Sequence, residues 1–228
     1  MERPTYVLVH GAWHGAWCWR DLGAELDRRG VAWRALDLPS AHDDRDGSAN
    51  LVDDAAAVTA AARDAGPVIL VGHSYAGAVV SEAATALPDL RGLIFVAALI
   101  PGPGQSATDA SHEVRVRTAM DDTVEADGPW IRVRPEGAAL AFYGECPAPV
   151  QAWAIERVGR HTTASFRQAR QSPDADAARR YVLCEHDRAI DPSLQEVMAR
   201  RCDDVVRLGS DHSPFLSHPG DLADAILG

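Results

Sequence analysis

The chain has 228 residues and carries 22 basic against 33 acidic side chains, a formal charge of −11 with an isoelectric point near 5.2. At roughly 150 residues per domain this is one domain with room for an insertion, and a chain of this length buries roughly 70–75% of its unfolded surface without staples. The acidic balance speaks against nucleic acid and anionic membrane as partners, since both are held by clustered cations. Every basic residue is arginine, so there is no lysine for a Schiff base or for a phosphate-binding P-loop.

Met1 is followed by Glu2, Arg3, Pro4 and directly by a strand-like run, with no apolar signal segment and no stretch near 18 apolar residues. Cys18, Cys146, Cys184 and Cys202 are widely spaced and form no C-x-x-C, which removes zinc-ribbon and thioredoxin readings. The expectation is a soluble, cytoplasmic chain with reduced thiols.

In chain order, Tyr6–Val9, Ala32–Leu36, Val68–Val71, Leu93–Ala98, Tyr181–Cys184 and Val205–Leu208 are short β-prone runs. They are continuous rather than alternating, as strands of a parallel sheet covered on both faces should be. Leu51, Ala55, Val58 and Ala62 make a helical stripe closed by Gly66-Pro67; Ala76, Val79, Val80, Ala83 and Leu87 make another closed by Pro88. Asp191–Arg201 and Pro219–Leu227 are further helix candidates, the last with proline in its first turn. The alternation predicts an α/β fold: a mostly parallel sheet of about six strands with helices on both faces. It stops at Pro101-Gly102-Pro103-Gly104, and residues 103–178 are expected to form a helical lid between core segments 1–102 and 179–228.

The sharpest chemical signal is Val68-Ile-Leu-Val-Gly72-His73-Ser74-Tyr75-Ala76-Gly77. A buried strand turning sharply into an apolar-striped helix, with small residues around a serine, is how a nucleophile is held exposed above a sheet. Ala76 stands where G-x-S-x-G has its second glycine, a small steric change with Gly77 following. An ordinary Gly/Ser turn is the alternative, and the strand–turn–helix context favours the nucleophile.

A serine needs a base, and in hydrolases of this topology the order is Ser, acid, His. Of nine histidines, His212 lies just past the last strand, where a loop can carry it over the carboxyl end of the sheet; the alternative is a solvated loop histidine. His10 and His73 sit at strand ends, as packed or backbone-bonded rings. His42, His112, His161 and His218 read as loop or lid surface. The run after Tyr181 offers Glu185 and Asp187, and Asp187 is preferred as acid because it lies beyond the strand end; Asp211 should point away if His212 faces the serine. The glycine-bearing loop Val9-His10-Gly11-Ala12-Trp13-His14-Gly15 can supply an oxyanion donor, so the proposed donors are the Ala12 and Tyr75 N–H groups. A turn into a helix carrying Trp17 and Trp19 as core is the plainer reading of those glycines. His10 and His14 are four apart, but the intervening glycines and the missing E-x-x-H context speak against a metal, and no cofactor is expected.

Four motifs in register, H-G-A-W-H-G-A-W-C-W from His10, G-H-S-Y-A-G from Gly72, C-E-H-D-R-A-I-D-P from Cys184 and S-D-H-S-P-F-L-S-H-P from Ser210, together with F-Y-G from Phe142, resemble one branch of the α/β-hydrolases. That branch holds plant methylesterases, hydroxynitrile lyases and bacterial carboxylesterases such as pyrethroid hydrolases, and the resemblance covers nearly the whole chain. It implies Ser74, Asp187 and His212 as a catalytic triad with Ala12 and Tyr75 at the oxyanion. Lyases of this branch carry a threonine after the first-strand histidine and a lysine after the catalytic one. Gly11 and Ser213 stand there, leaving no cation to stabilise departing cyanide.

The expected function is a serine carboxylesterase acting on a small to medium ester with an apolar or aromatic acyl part. Leu99, Trp130, Phe142, Phe166 and Phe215 are expected to line its pocket; a lid core of its own is the competing role for the lid aromatics. A secondary-metabolite esterase or lactonase, a hydroxynitrile lyase and a non-catalytic small-ligand receptor on the same fold are the other readings. A homodimer stays open.

Overall fold

The computed structural model describes residues 2–41 and 46–228, so His42 lies outside the described residues. The first half runs β1 (Thr5–Val9), α1 (Arg20–Arg28), β2 (Trp33–Leu36), α2 (Leu51–Ala62), β3 (Val68–His73), α3 (Ala76–Ala83) and β4 (Leu90–Val96). Then come α4 (Ala107–Ser111), β5 (Val124–Asp127), β6 (Trp130–Val133), α5 (Pro135–Phe142), α6 (Ala148–Ile155), β7 (Arg160–Thr162) and α7 (Thr163–Arg167). The chain closes with β8 (Arg179–Cys184), α8 (Pro192–Ala199), β9 (Asp204–Leu208), α9 (Pro214–Ser217) and α10 (Pro219–Leu227).

Six strands form one sheet in the order β2-β1-β3-β4-β8-β9, and every neighbouring pair is parallel. Right-handed crossovers then set the layers. The chain steps one way from β1 to β2 and the other way from β2 onward, so α1 lies on one face and α2, α3 and α8 on the opposite one. The packing agrees: α1 meets α9 and α10, whereas α2 meets α3. Strands β1, β3, β4 and β8 are almost continuously buried, but the edge strands β2 and β9 are half open to solvent. Burial on both faces therefore holds for the four central strands and not for the edges. Helix α2 opens on a reciprocal cap, Asn50 Oδ1 accepting from Val52 N while Asp53 accepts from Asn50 N.

The segment between β4 and β8 is not purely helical. Strands β5, β6 and β7 form a separate antiparallel sheet, with β5 and β6 joined through Gly128-Pro129 and Gly128 at φ +61°. A two-residue connection needing a left-handed residue is a hairpin turn, and in β6 the buried Trp130 and Val133 lie on opposite faces of the strand. Among the described residues no helix is long and apolar enough to cross a membrane.

The junction of β3 and α3 is the tightest place in the sheet. A Cβ on Gly77 would sit 2.3 Å from the Leu99 carbonyl oxygen, and one on Gly72 would sit 2.7 Å from that of Ala76. Gly77→Ala is expected to cost about 1–3 kcal/mol, since backbone cannot swing aside as a side chain can. Gly220→Ala, where the added methyl meets nothing within 4 Å, should not lower the melting temperature. Thermal denaturation of the two variants checks both.

Candidate active site

Ser74 occupies the left-handed region at φ +56°, a conformation that costs a non-glycine residue on the order of 1–2 kcal/mol. Its backbone is fastened on both sides: Ser74 N–H donates to Val96 O at 3.1 Å, and its carbonyl accepts from Leu99 N at 3.0 Å and Gly77 N at 3.1 Å. From residue 70 through 81 every residue but Ser74 is buried. The strained turn thus delivers one hydroxyl to the surface of a cavity and hides its neighbours. Trp13 (φ +64°) and Ala97 (φ +44°) share this conformation, and the three lie just past the ends of the adjacent strands β1, β3 and β4. Ala97 is also why β4 ends at Val96, short of the expected Ala98.

Asp187 and His212 meet 2.7 Å apart, His212 Nδ1 donating to Asp187 Oδ2, and both side chains are almost wholly shielded. Asp187 also accepts from Ala189 N (2.7 Å), Ile190 N (3.0 Å) and Gln195 Nε2 (2.9 Å). Four donors offset the cost of burying its charge. Glu185, the rejected alternative, is exposed. Asp211 turns away from His212, accepting from Glu145 N, Ser213 N and Ser217 Oγ. His212 and Ser74 line the same cavity, although no hydrogen bond joins them in this structure.

The loop after β1 presses on the serine. A Cβ on Gly11 would lie 2.8 Å from both Ser74 Cβ and His73 Nδ1, so glycine is what allows this close approach of the loop to Ser74. Neither the Ala12 nor the Tyr75 N–H has a partner among the described residues. The ring nitrogens of His10 and His14 are occupied: His10 Nδ1–H donates to Gly11 O and Nε2 accepts from Leu38 N, while His14 Nδ1–H donates to Ala12 O and Nε2 accepts from the Tyr143 hydroxyl. Burial pushes His14 down to about 3, so it is neutral near neutral pH.

The cavity holds about 950 Å³. Leu99, Phe142 and Phe166 line it; Trp130 and Phe215 do not. Phe215 is buried behind the histidines, 4.9 Å from the rings of both Trp19 and His73. Trp130 is buried beneath the Arg160 guanidinium, 4.2 Å away, against Pro129 and Gly47. Both placements correct the expected pocket: Trp130 packs inside the segment between β4 and β8, and Phe215 packs against Trp19, His14 and His73. His161 is corrected too, since it is fully buried rather than surface, with Nε2 3.3 Å from Ser40 Oγ.

Trp13 is the main lining residue that the sequence reading passed over, along with Met120, Ile131 and Leu194. Its indole N–H donates to Ile131 O at 3.1 Å, tying the first-strand loop to the lid sheet; lying inside the glycine motif was its only signal. Arg115, Arg117 and Arg167 stand in the lining with Asp121, Asp122 and Asp191. The polar side chains are thus mixed in sign.

The segment around Phe142–Cys146 touches the loops after β1, β8 and β9. Phe142 packs on His212 and Trp13, and Tyr143 bonds His14. Glu145 accepts from Asp211 N (3.2 Å) and lies 2.6 Å from His186 Nδ1. A second polar cluster lies beneath the serine. Asp54, fully buried on α2, accepts from Ser40 N and Oγ and from the Tyr75 hydroxyl. Burial, with Asp53 adding like charge, pushes its carboxyl up to about 6.

Residues 6–225 match the alpha/beta hydrolase family. The chain belongs to that family. This hydrolase is 28% identical to Esterase PIR7B of Oryza sativa subsp. japonica over 99% of its own length and 95% of the relative's. It is 29% identical to Methyl jasmonate esterase 1 of Vitis vinifera over 95% and 93%. The crystal structure of a pyrethroid hydrolase from Sphingobium faniae superposes with a TM-score of 0.86 at 25% identity, covering 99% of this hydrolase and 96% of that chain.

Because Trp130 is packing and Phe142 is wall, their alanine variants should separate. Trp130→Ala is expected to lower stability by about 3–5 kcal/mol and affect acetyl, butyryl and benzoyl esters alike. Phe142→Ala should shift kcat/KM among those esters by a factor corresponding to about 1–3 kcal/mol. For Asp54, the unfolded carboxyl titrates near 4, so between about pH 4 and 6 the folded hydrolase holds the extra proton. Stability therefore falls as pH rises through that window. The stability of the wild type minus that of Asp54→Asn should drop by on the order of 2 kcal/mol between pH 4 and 7; urea titrations at the two pH values measure it.

Proposed function

We infer that this alpha/beta hydrolase is a serine carboxylesterase. The observation that carries the reading is the buried Asp187–His212 pair opening onto the same cavity as a serine held at φ +56°. In the proposed cycle His212 Nε2 takes the Ser74 proton as Oγ attacks the ester carbonyl, and Asp187 holds the imidazole with Nδ1 protonated and stabilises the imidazolium. The Ala12 and Tyr75 N–H groups receive the oxyanion. His212 returns its proton to the leaving alcohol, then draws one from the water that cleaves the acyl-enzyme and restores Ser74. The missing Ser74–His212 hydrogen bond is compatible with this, since such contacts commonly tighten only when substrate docks.

The relatives' names, an esterase, a methyl jasmonate esterase and a pyrethroid hydrolase, support ester hydrolysis over the alternatives. A cavity near 950 Å³ walled by Trp13, Leu99, Phe142 and Phe166 suits an ester with a bulky apolar acyl part, at the roomy end of small-molecule sites. The lyase reading has less to rest on: Ser213, next to His212, is a buried hydroxyl with no partner among the described residues, and no lysine exists to stand there.

A fluorophosphonate should label the wild type and leave Ser74→Ala unlabelled. Ser74→Ala and His212→Ala should each lower kcat on p-nitrophenyl esters by about 10³–10⁶, with the double variant little worse. Asp187→Asn should keep KM and lose most turnover. Labelling that survives Ser74→Ala, or a wild type inert to the whole ester panel, overturns the reading.

A further inference from the structure

Tyr75 is proposed above as an oxyanion donor through its backbone, yet its side chain is completely buried and absent from the cavity wall. It points down into the core, where its hydroxyl donates to Asp54 Oδ2 at 2.8 Å. The same oxygen accepts from Ser40 Oγ at 2.6 Å, and Oδ1 accepts from Ser40 N at 3.0 Å. Since the Ser40 proton goes to Asp54, His161 Nε2–H donates to Ser40 Oγ at 3.3 Å. The Tyr75 ring lies 4.8 Å from that of His161 and 5.0 Å from that of Phe166, the first on lid strand β7 and the second on lid helix α7.

Those four polar residues come from separate places in the chain: the turn at Pro39–Ala41, helix α2, the strained elbow and the lid. None of them is a cation in this environment, because burial holds His161 well below the usual imidazole range. A buried carboxylate without a cation is costly, and phenylalanine at position 75 would fill the same ring volume. What the carboxylate adds is a fixed anchor for the Tyr75 hydroxyl. An amide serves an oxyanion only when aimed at where that charge develops, and the backbone of Tyr75 is one bond from a strained serine.

We propose that Asp54 is a positioning residue for the oxyanion hole, holding the Tyr75 hydroxyl so that the Tyr75 N–H stays directed at the reacting carbonyl. This rests on the serine esterase reading. The segment between β4 and β8 takes part by packing His161 and Phe166 against the Tyr75 ring.

Asp54→Asn, Tyr75→Phe and their double variant test it, with p-nitrophenyl butyrate as substrate, phenylboronic acid as a mimic of the tetrahedral adduct, and butyrate as a ground-state ligand. A misaimed donor should cost somewhat less than the roughly 10²–10³ seen when one is removed. Each single variant should therefore lower kcat about tenfold or more with KM within about twofold. Boronate affinity should fall in parallel, butyrate affinity should hold, and the double variant should match the worse single. Tyr75→Phe keeps the ring and decides the matter if Asp54→Asn does not fold. Unchanged kcat in a folded variant, equal loss of boronate and butyrate binding, or additive losses in the double variant would overturn the proposal. Ser74→Ala, assayed alongside, separates the two levels: if it stays active the esterase mechanism fails, whereas an inert Ser74→Ala beside normal Tyr75→Phe removes only the role of Asp54.

Discussion

The site depends on a backbone that L-residues avoid. Ser74 can stay at φ +56° only because its N–H and C=O are bonded to Val96, Gly77 and Leu99 and because Gly11, Gly72 and Gly77 let backbone approach where no Cβ fits. The strain is paid for by the parallel core of β1, β3 and β4, whose buried faces leave the junction nowhere to relax. Trp13 and Ala97 repeat the left-handed turn at the ends of the flanking strands. The three departures therefore form one row along the carboxyl edge of the sheet, the place where open α/β sheets put their ligands.

Much of this was legible in the sequence because it is local. A parallel strand buried on both faces reads as an unbroken apolar run, and the elbow is a contiguous stretch whose small residues state its geometry. Asp187 and His212 could be named because each lies a few residues past a recognisable strand. The lid resisted for the opposite reason: β5, β6 and β7 are three or four residues long, and only cross-strand pairing makes them strands. The burial of His161 is not legible locally because it is made largely by Ser40, Tyr75 and Trp13 from distant parts of the chain. Trp130 and Phe215 failed as pocket residues on the same ground, since aromatic character says that a side chain is covered and not by what.

The lid acts as more than a cover. Phe142, Tyr143 and Glu145 lie within four consecutive residues and reach His212, His14, Asp211 and His186. Those partners lie in the loops that follow β9, β1 and β8. On the other side of the cavity, Trp13 bonds the lid sheet at Ile131 and His161 reaches Ser40. The segment between β4 and β8 and the loops at the carboxyl edge of the sheet are thus packed as one unit, in which Phe142 both lines the cavity and lies against the His212 ring.

Crowding histidines around a serine poses an electrostatic problem, which the burial pattern resolves. The His73 ring lies 4.5 Å from that of His212, tilted by 53°, and His14 in turn lies 5.9 Å from His73. If all three could charge, the proton that the proposed esterase cycle takes from Ser74 would be repelled or shared. Burial forbids it for two of them: His14 is driven down to about 3 and His73 well below its usual range, each further lowered by its neighbours. His73 spends its Nε2–H on the His212 carbonyl, and the partners of His14 are a carbonyl and a phenol. Of His14, His73 and His212, only His212 has a carboxylate at hydrogen-bond distance among the described residues. Among these three rings it is therefore the one whose geometry suits the base that the esterase reading requires.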